Sequence, residues 1–193
     1  MRAAEFERRY RREGDPWRYR SSEYERAKYD ATLSACGPGR FESALELGGS
    51  IGVFSARLAG RCETLTTIDF SPSAVTAAHA RLVDFPHVRA VVGEIPSAIE
   101  PGSHDLVVAS EILYYLDDEP LAATFERLRE VLIPGGRMVA VHWRPPGPER
   151  PQIAAGVHAQ LRSLPWLRAI SDRSTADYLL DVLERTGVTT SGS

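Results

Sequence analysis

Several features that would commit this chain to a specialised environment are scarce. Among its 193 residues there are two cysteines, Cys36 and Cys62. Their spacing fits no metal-binding or dithiol redox pattern, so they read as free thiols, and the cytoplasm is the expected compartment. No apolar run reaches the length of a membrane span, and the N-terminus is rich in Arg and Glu instead of presenting an apolar signal segment. Neither sign of charge dominates: 23 Lys and Arg face 26 Asp and Glu, for a formal net charge of −3. That balance argues against nucleic acid as the default partner. There is no internal repeat, and the dinucleotide fingerprint G-x-G-x-x-G is absent. The length suits one domain able to bury a core without disulfide or metal staples.

What is present is organised around Ser43–Phe54. Ser43 to Leu47 reads as a short buried strand, Gly48, Gly49 and Gly52 punctuate a tight turn, and Val53, Phe54, Ala56 and Leu58 open a helix. A strand, a glycine turn and a helix form the first half of a βαβ unit, whose turn backbone can approach a nucleotide-like ligand closely. Glu46 ends the strand, and the order acidic-x-Gly-x-x-x-Gly resembles motif I of class I S-adenosylmethionine (SAM) methyltransferases. On that reading Gly48 and Gly52 keep Cβ atoms out of the path of the methionyl and ribose groups, and Glu46 faces the cofactor ammonium. About 20 positions on, Leu65–Asp69 reads as a second strand ending in a carboxylate that can accept from both ribose hydroxyls.

Around this unit the pattern alternates. Residues 5–12 and 22–35 read as helices with a Gly14-Asp15-Pro16 break between them, and Ser21 or Ser22 caps the second. Aromatic residues Trp17, Tyr19, Tyr24 and Tyr29 interleave with basic ones, but acidic neighbours balance the charge, and a solvated two-sided helix is expected at residues 22–35. Ser71-Pro72 starts a helix carrying Val75, Ala78 and Leu82, with His79 on its outer face. Val88–Val92 is a third strand. His104–Glu111 is a near-continuous apolar run, as in a strand buried on both faces. A helix over Glu119–Leu132, stopped by Pro134-Gly135-Gly136, leads to a fifth strand, Arg137–Trp143. Tyr178–Leu183 is read as a strand of a terminal β-hairpin. Five strands separated by helices imply a parallel sheet with right-handed crossovers. Ligands in such sheets bind beyond the carboxyl ends of the strands, where Glu46, Asp69, Glu94, Glu111 and His142 would gather.

These tips sit within segments that resemble the nodulation-factor N-methyltransferase family: Asp15-Pro16-Trp17, Tyr24-Glu25-Arg26, Ala44 to Gly48, Ile68 to Pro72, Asp105 to Val108, Ser110 to Leu116 and Pro134 to Gly136. The resemblance runs from about residue 5 to 142. It implies a Rossmann-like class I methyltransferase fold, with a central seven-stranded, mostly parallel sheet, helices on both faces and a C-terminal β-hairpin. It also implies a SAM-dependent enzyme that methylates an amine, as of a deacetylated amino sugar or chitooligosaccharide. Gly49 stands where the family commonly has Cys, at a position expected to point away from the chemistry. The Val141-His142-Trp143-Arg144-Pro145 and Val157-His158 segments look like a sister branch sometimes found with sugar deacetylases.

The expected cofactor residues are Glu46, Gly48, Gly49, Gly52, Asp69, Phe70, Glu94, Ile95, Ser110, Tyr115 and Trp17. Glu94 and Ile95 would meet adenine, while Tyr115, Trp17 and Tyr19 would close over the cofactor. The candidate bases are His142, His158 and Glu111, with solvent as an alternative proton acceptor. No metal is expected. The partner is a small-molecule or oligosaccharide amine, and a monomer is favoured. Residues 1–40 are expected to act as a helical lid, 41–186 as the cofactor-binding domain and 187–193 as a flexible tail. Methylation of oxygen or carbon on a small metabolite, and SAM binding without catalysis, stay open as alternatives.

Overall fold

The structure, a computed structural model, describes residues 3–146 and 150–187. Most of the expected tail, residues 188–193, lies outside the described residues. Two helices, α1 (Ala3–Glu13) and α2 (Glu23–Ala35), precede the alternating elements β1 (Phe41–Leu47), α3 (Val53–Ala59), β2 (Cys62–Asp69), α4 (Pro72–Arg81), β3 (Val88–Val92) and β4 (His104–Ser110). A 3-10 turn at Leu113–Tyr115 follows, then α5 (Asp118–Val131), β5 (Leu132–Trp143), α6 (Ala154–Ser163), β6 (Leu167–Asp172) and β7 (Tyr178–Arg185). The seven strands form one sheet in the order β3-β2-β1-β4-β5-β7-β6. The first five are parallel; β7 runs antiparallel between β5 and β6, closing the sheet with a hairpin. The order reverses between β1 and β4, and a ligand crevice opens at such a switch point. Among the described residues no helix is long and apolar enough to cross a membrane.

Side chains alternate across the central strands, and each face buries its own core. Leu45, Leu47, Val107, Ala109, Met138 and Ala140 pack with Leu121, Phe125, Leu128 and Leu161 of α5 and α6. Ala44, Leu106, Val108, Val139 and Val141 pack with Tyr29, Phe54 and Leu58 of α2 and α3. Local signals set the helix ends. Gly14, with φ +68°, ends α1 and donates its N–H to the Tyr10 carbonyl. Ser22 Oγ accepts from Glu25 N at the start of α2, and Ser71 Oγ accepts from Ala74 N with Pro72 in the first turn of α4.

Two expectations change. The Pro134-Gly135-Gly136 stretch lies inside β5, which starts directly after α5; the pairing with β4 shifts register there and Gly135 takes φ +79°. The helix therefore ends before this stretch, and the Pro and Gly residues form a bulge in the strand. Helix α2 is not a solvated element: Lys28, Tyr29, Thr32 and Ala35 are buried, with Lys28 only 2% exposed. His79 lies on the exposed face of α4 as expected, and its Nε2 meets the Ala90 carbonyl at 3.0 Å, which ties α4 to β3.

Candidate active site

The C-terminal edge of the sheet and helices α1 and α2 enclose a cavity of about 510 Å³, within the usual range for small-molecule sites. Three strand tips reach its wall: Asp69 from β2, Glu94 after β3 and Glu111 after β4. Gly48, Phe70, Ile95, Ser110, Tyr115 and Trp17 also line it. An adjoining recess of about 20 Å³ is lined by Glu46, Gly48, Gly49, Ser50, Glu25, Tyr19 and Tyr29. The turn between β1 and α3 is tightly wound. Gly48 and Gly52 have positive φ, and so does Ser50 at +50°, although Ser lacks the freedom of glycine there. A Ser50 N–H···Asp69 Oδ2 bond of 2.9 Å and a Ser50–Tyr10 hydroxyl contact of 2.6 Å hold that conformation.

The glycines also serve packing. A Cβ on Gly48 would stand 2.7 Å from the Ser110 carbonyl, so its bareness first admits the β4 backbone. A Cβ on Gly52 would press on Ala78 of α4 at 3.1 Å; Gly52 lines neither cavity, and its role is close helix packing. Gly49 faces inward, where a Cβ would collide with Thr67 Oγ1, a hydroxyl beside Glu46.

Burial dominates the electrostatics. Glu46 is 1% exposed and receives the Ser55 hydroxyl at 2.5 Å; desolvation nevertheless pushes its carboxyl up to about 7. Asp69 accepts Ser50 N and Ser71 N, each at 2.9 Å, and burial still raises it to about 6. Both carboxylates thus lack enough positive charge or donors to ionise freely. Lys28 differs. Burial works to lower its pKa, but Glu111 at 2.7 Å and Glu25 at 3.0 Å outweigh that effect and raise it. Lys28 Nζ donates to Glu25 Oε1 at 3.1 Å and lies 3.0 Å from Oε2, which is ion-paired although it accepts no aligned hydrogen bond. Burial raises the pKa of Glu25 in spite of Lys28.

The two histidines among the candidate bases are placed otherwise than expected. His142 is fully buried and lines neither cavity. On β5 it shares the parity of Met138 and Ala140, which turns its ring inward toward α6 instead of over the strand ends. Its Nε2 accepts from Leu113 N at 3.2 Å, which fixes the proton on Nδ1. Nδ1–H then donates to His158 Nε2 at 3.0 Å, and His158 Nδ1–H donates to Asp181 Oδ2 at 2.9 Å. Arg162 Nε also donates to Asp181, at 2.7 Å. Burial, reinforced by the neighbouring His158, holds His142 well below the ordinary imidazole range. Neither His142 nor His158 has a nitrogen free for substrate; they pin the Leu113–Tyr115 turn to β5, α6 and β7. Glu111 does reach the cavity, with φ +55°. Its oxygens receive Lys28 Nζ, the Tyr114 hydroxyl and Trp143 N, so its acceptor positions are already occupied.

Helices α1 and α2 contribute cavity residues for which the sequence offered only an aromatic pattern. Phe6 meets Tyr115 edge-on at 5.0 Å and Phe70 at 5.6 Å, and Trp17 stacks on Tyr19 at 5.9 Å. Glu7 accepts from the Ser71 and Ser73 hydroxyls at 2.6 Å each, which clamps α1 to the start of α4. Tyr10, Tyr24, Lys28, Trp143 and Arg150 complete the wall. Lys28 could be found from sequence only by pairing it with Glu111, which is 83 positions away.

Residues 4–158 match the Nodulation protein S (NodS) family. Nodulation protein S of Sinorhizobium fredii is 32% identical over 127 residues, covering 65% of this chain and 59% of that protein. The chain thus spans about three fifths of the length of that curated relative. The crystal structure of the N-methyltransferase NodS from Bradyrhizobium japonicum, in complex with S-adenosylhomocysteine (SAH), superposes with a TM-score of 0.85 at 25% identity, covering 95% of this chain and 98% of that one. A putative methyltransferase from Pseudomonas syringae is 36% identical with a TM-score of 0.75, covering 85% of this chain and all of that one. With residues 4–158 matched by the family and the fold of the NodS crystal structure reproduced, the chain belongs to the NodS family.

Proposed function

We propose that this protein is a SAM-dependent N-methyltransferase whose acceptor is the amine of a deacetylated amino sugar, free or in a chitooligosaccharide. The observation that carries the reading is the convergence of Asp69, Glu94 and Glu111 with the Gly48 turn on one cavity of about 510 Å³. The cofactor fits the donor set. Asp69, raised to about 6 by burial, is suited to two ribose hydroxyls, and Glu46, raised to about 7 by burial, is suited to an ammonium. Ile95 and Glu94 flank the adenine position, while Phe6, Phe70, Tyr115 and Trp17 wall it from solvent. Bound SAM supplies a methyl on a positively charged sulfur, and displacement by nitrogen returns the C–S electron pair to sulfur.

The chain's own contribution is alignment, exclusion of water and handling of a proton. Lys28, fixed between Glu25 and Glu111, keeps both carboxylates in place on the wall. Tyr24 Oη, buried and without a hydrogen-bond partner, needs a partner that an amine supplies, and Glu25, although paired with Lys28, lies beside it on the same wall. Glu25, with its raised pKa, accepts the proton that nitrogen loses, either before or after the new C–N bond forms. Incubation with methyl-labelled SAM and a panel of chitosan fragments, amino sugars and hydroxylated metabolites tests the reading. Label should appear on nitrogen of the amino compounds. Label on oxygen or carbon alone would replace the acceptor class, and SAM binding without transfer to any acceptor would make the chain a binding module.

A further inference from the structure

Four buried side-chain polar atoms among the described residues lack a hydrogen-bond partner: Tyr24 Oη, Glu25 Oε2, Arg150 Nε and Trp166 Nε1. Three of these residues line the same cavity, and of the three only Arg150 offers positive charge. Its guanidinium lies 4.4 Å from the centroid of Tyr114 and 4.8 Å from that of Trp143. Nη1 donates to the Pro145 carbonyl at 2.7 Å, and the guanidinium also contacts the Tyr115 side chain, while Nε has no partner. Of the carboxylates that line the cavity, Glu25 and Glu111 are paired to Lys28, and among the described residues Asp69, Glu94 and Asp117 form no ion pair with Arg150 either. Stacking on aromatic rings engages the faces of a guanidinium and leaves its edge for a ligand. The Nε–H and Nη2–H edge matches two oxygens of a carboxylate or phosphate. The cofactor's own carboxylate is not the natural occupant, because its amino-acid end is assigned to the Glu46 recess, whose wall does not include Arg150.

We propose that Arg150 is an anion-binding, specificity-determining residue of the acceptor end, and that the acceptor amine also carries a phosphate or carboxylate. The cavity then reads as bipolar: Tyr24 and Glu25 face the amine, and Arg150, held on the Tyr114 and Trp143 rings, faces the anion. This deepens the methyl-transfer reading and rests on it for the identity of the amine.

Inorganic phosphate and acetate are titrated separately onto the protein, with and without saturating SAH, and followed by tryptophan emission and calorimetry. One of the two anions should bind saturably, and Arg150→Gln should weaken it tenfold or more, with Arg150→Lys intermediate because it keeps charge but not the fork. SAH affinity should be the same in all three proteins, which shows that the variants are folded. In transfer assays glucosamine 6-phosphate should exceed glucosamine in kcat/KM if phosphate is the group, or glucosaminic acid should exceed glucosaminitol if carboxylate is. Arg150→Gln should erase the preference mainly through KM. Anion binding that is absent, or equal in parent and Arg150→Gln, overturns the proposal, and so does equal use of charged and uncharged amines. If SAH does not bind at all, the methyl-transfer reading fails, while the anion titration of the cofactor-free protein still decides the role of Arg150.

Discussion

Cofactor affinity should rise steeply with pH, and Glu46 should be the main reason. In the free protein burial holds its carboxyl at about 7. At pH 5.5 about 3% of such a group is ionised, and at pH 8 nearly all of it is. If the SAH ammonium binds the ionised form, affinity falls about thirtyfold between pH 8 and pH 5.5, or about 2 kcal/mol. Asp69, at about 6, adds about fourfold in the same direction, because ribose hydroxyls donate to its charged form. Together the two give about a hundredfold. Calorimetric titration of SAH at four pH values from 5.5 to 8 reads this directly. Glu46→Gln keeps the size of the side chain and loses the charge; it should bind more weakly at pH 8 and retain only the fourfold slope. Stability of the free protein must move the opposite way. Both carboxyls bind their protons more tightly folded than unfolded, so their contribution falls as pH rises from about 4 to about 7. Between pH 4 and 7 the melting temperature of Glu46→Gln without ligand should therefore gain on that of the parent, and the shift that SAH produces in the parent should grow. A flat affinity profile, or an undiminished slope in Glu46→Gln, would refute the assignment of Glu46 to the ammonium.

Other outcomes follow from the same contacts. Asp69→Ala should weaken SAH about tenfold or more, since each bond to a charged acceptor is worth about 1.5–3 kcal/mol; calorimetry checks this. Gly48→Val should lose SAH binding together with thermal stability, because the new side chain meets the Ser110 carbonyl and the backbone has positive φ. His158→Ala should lower stability to urea by about 2–4 kcal/mol, because it leaves His142 Nδ1–H and part of Asp181 unpartnered in the core; an unchanged unfolding midpoint would remove the relay from the account. Hydrogen exchange over residues 5–25 should slow when SAH binds if α1 and the following segment act as a lid, and equal rates in both states would make them fixed packing.

The sheet and most of the site were legible because their signals are local. Glycine spacing, the carboxylates at strand ends and the apolar run of β4 each act within a few residues. Asp69, Glu94 and Glu111 reach the cavity wall because parallel strands with right-handed crossovers bring their C-terminal ends together. What was not legible depended on which way a side chain turns. His142 occupies a strand tip as read, yet strand parity aims it inward at His158, and a sequence does not display that partner. Lys28 looks like any charged residue on a solvated helix until Glu111 is found against it. Arg150 sits in a loop without periodicity, and only the convergence of Tyr114 and Trp143 gives it a seat. Gly52 carried a motif signature that fits a cofactor role, but its space is taken by Ala78.

The most direct measurement is a crystal structure of the protein with SAH. The account predicts the nucleoside in the cavity of about 510 Å³, with both ribose hydroxyls on the Asp69 carboxylate, adenine beside Glu94 and Ile95, and the ammonium against Glu46. SAH bound with its ribose away from Asp69, or its amino-acid end outside the Glu46 recess, would contradict it.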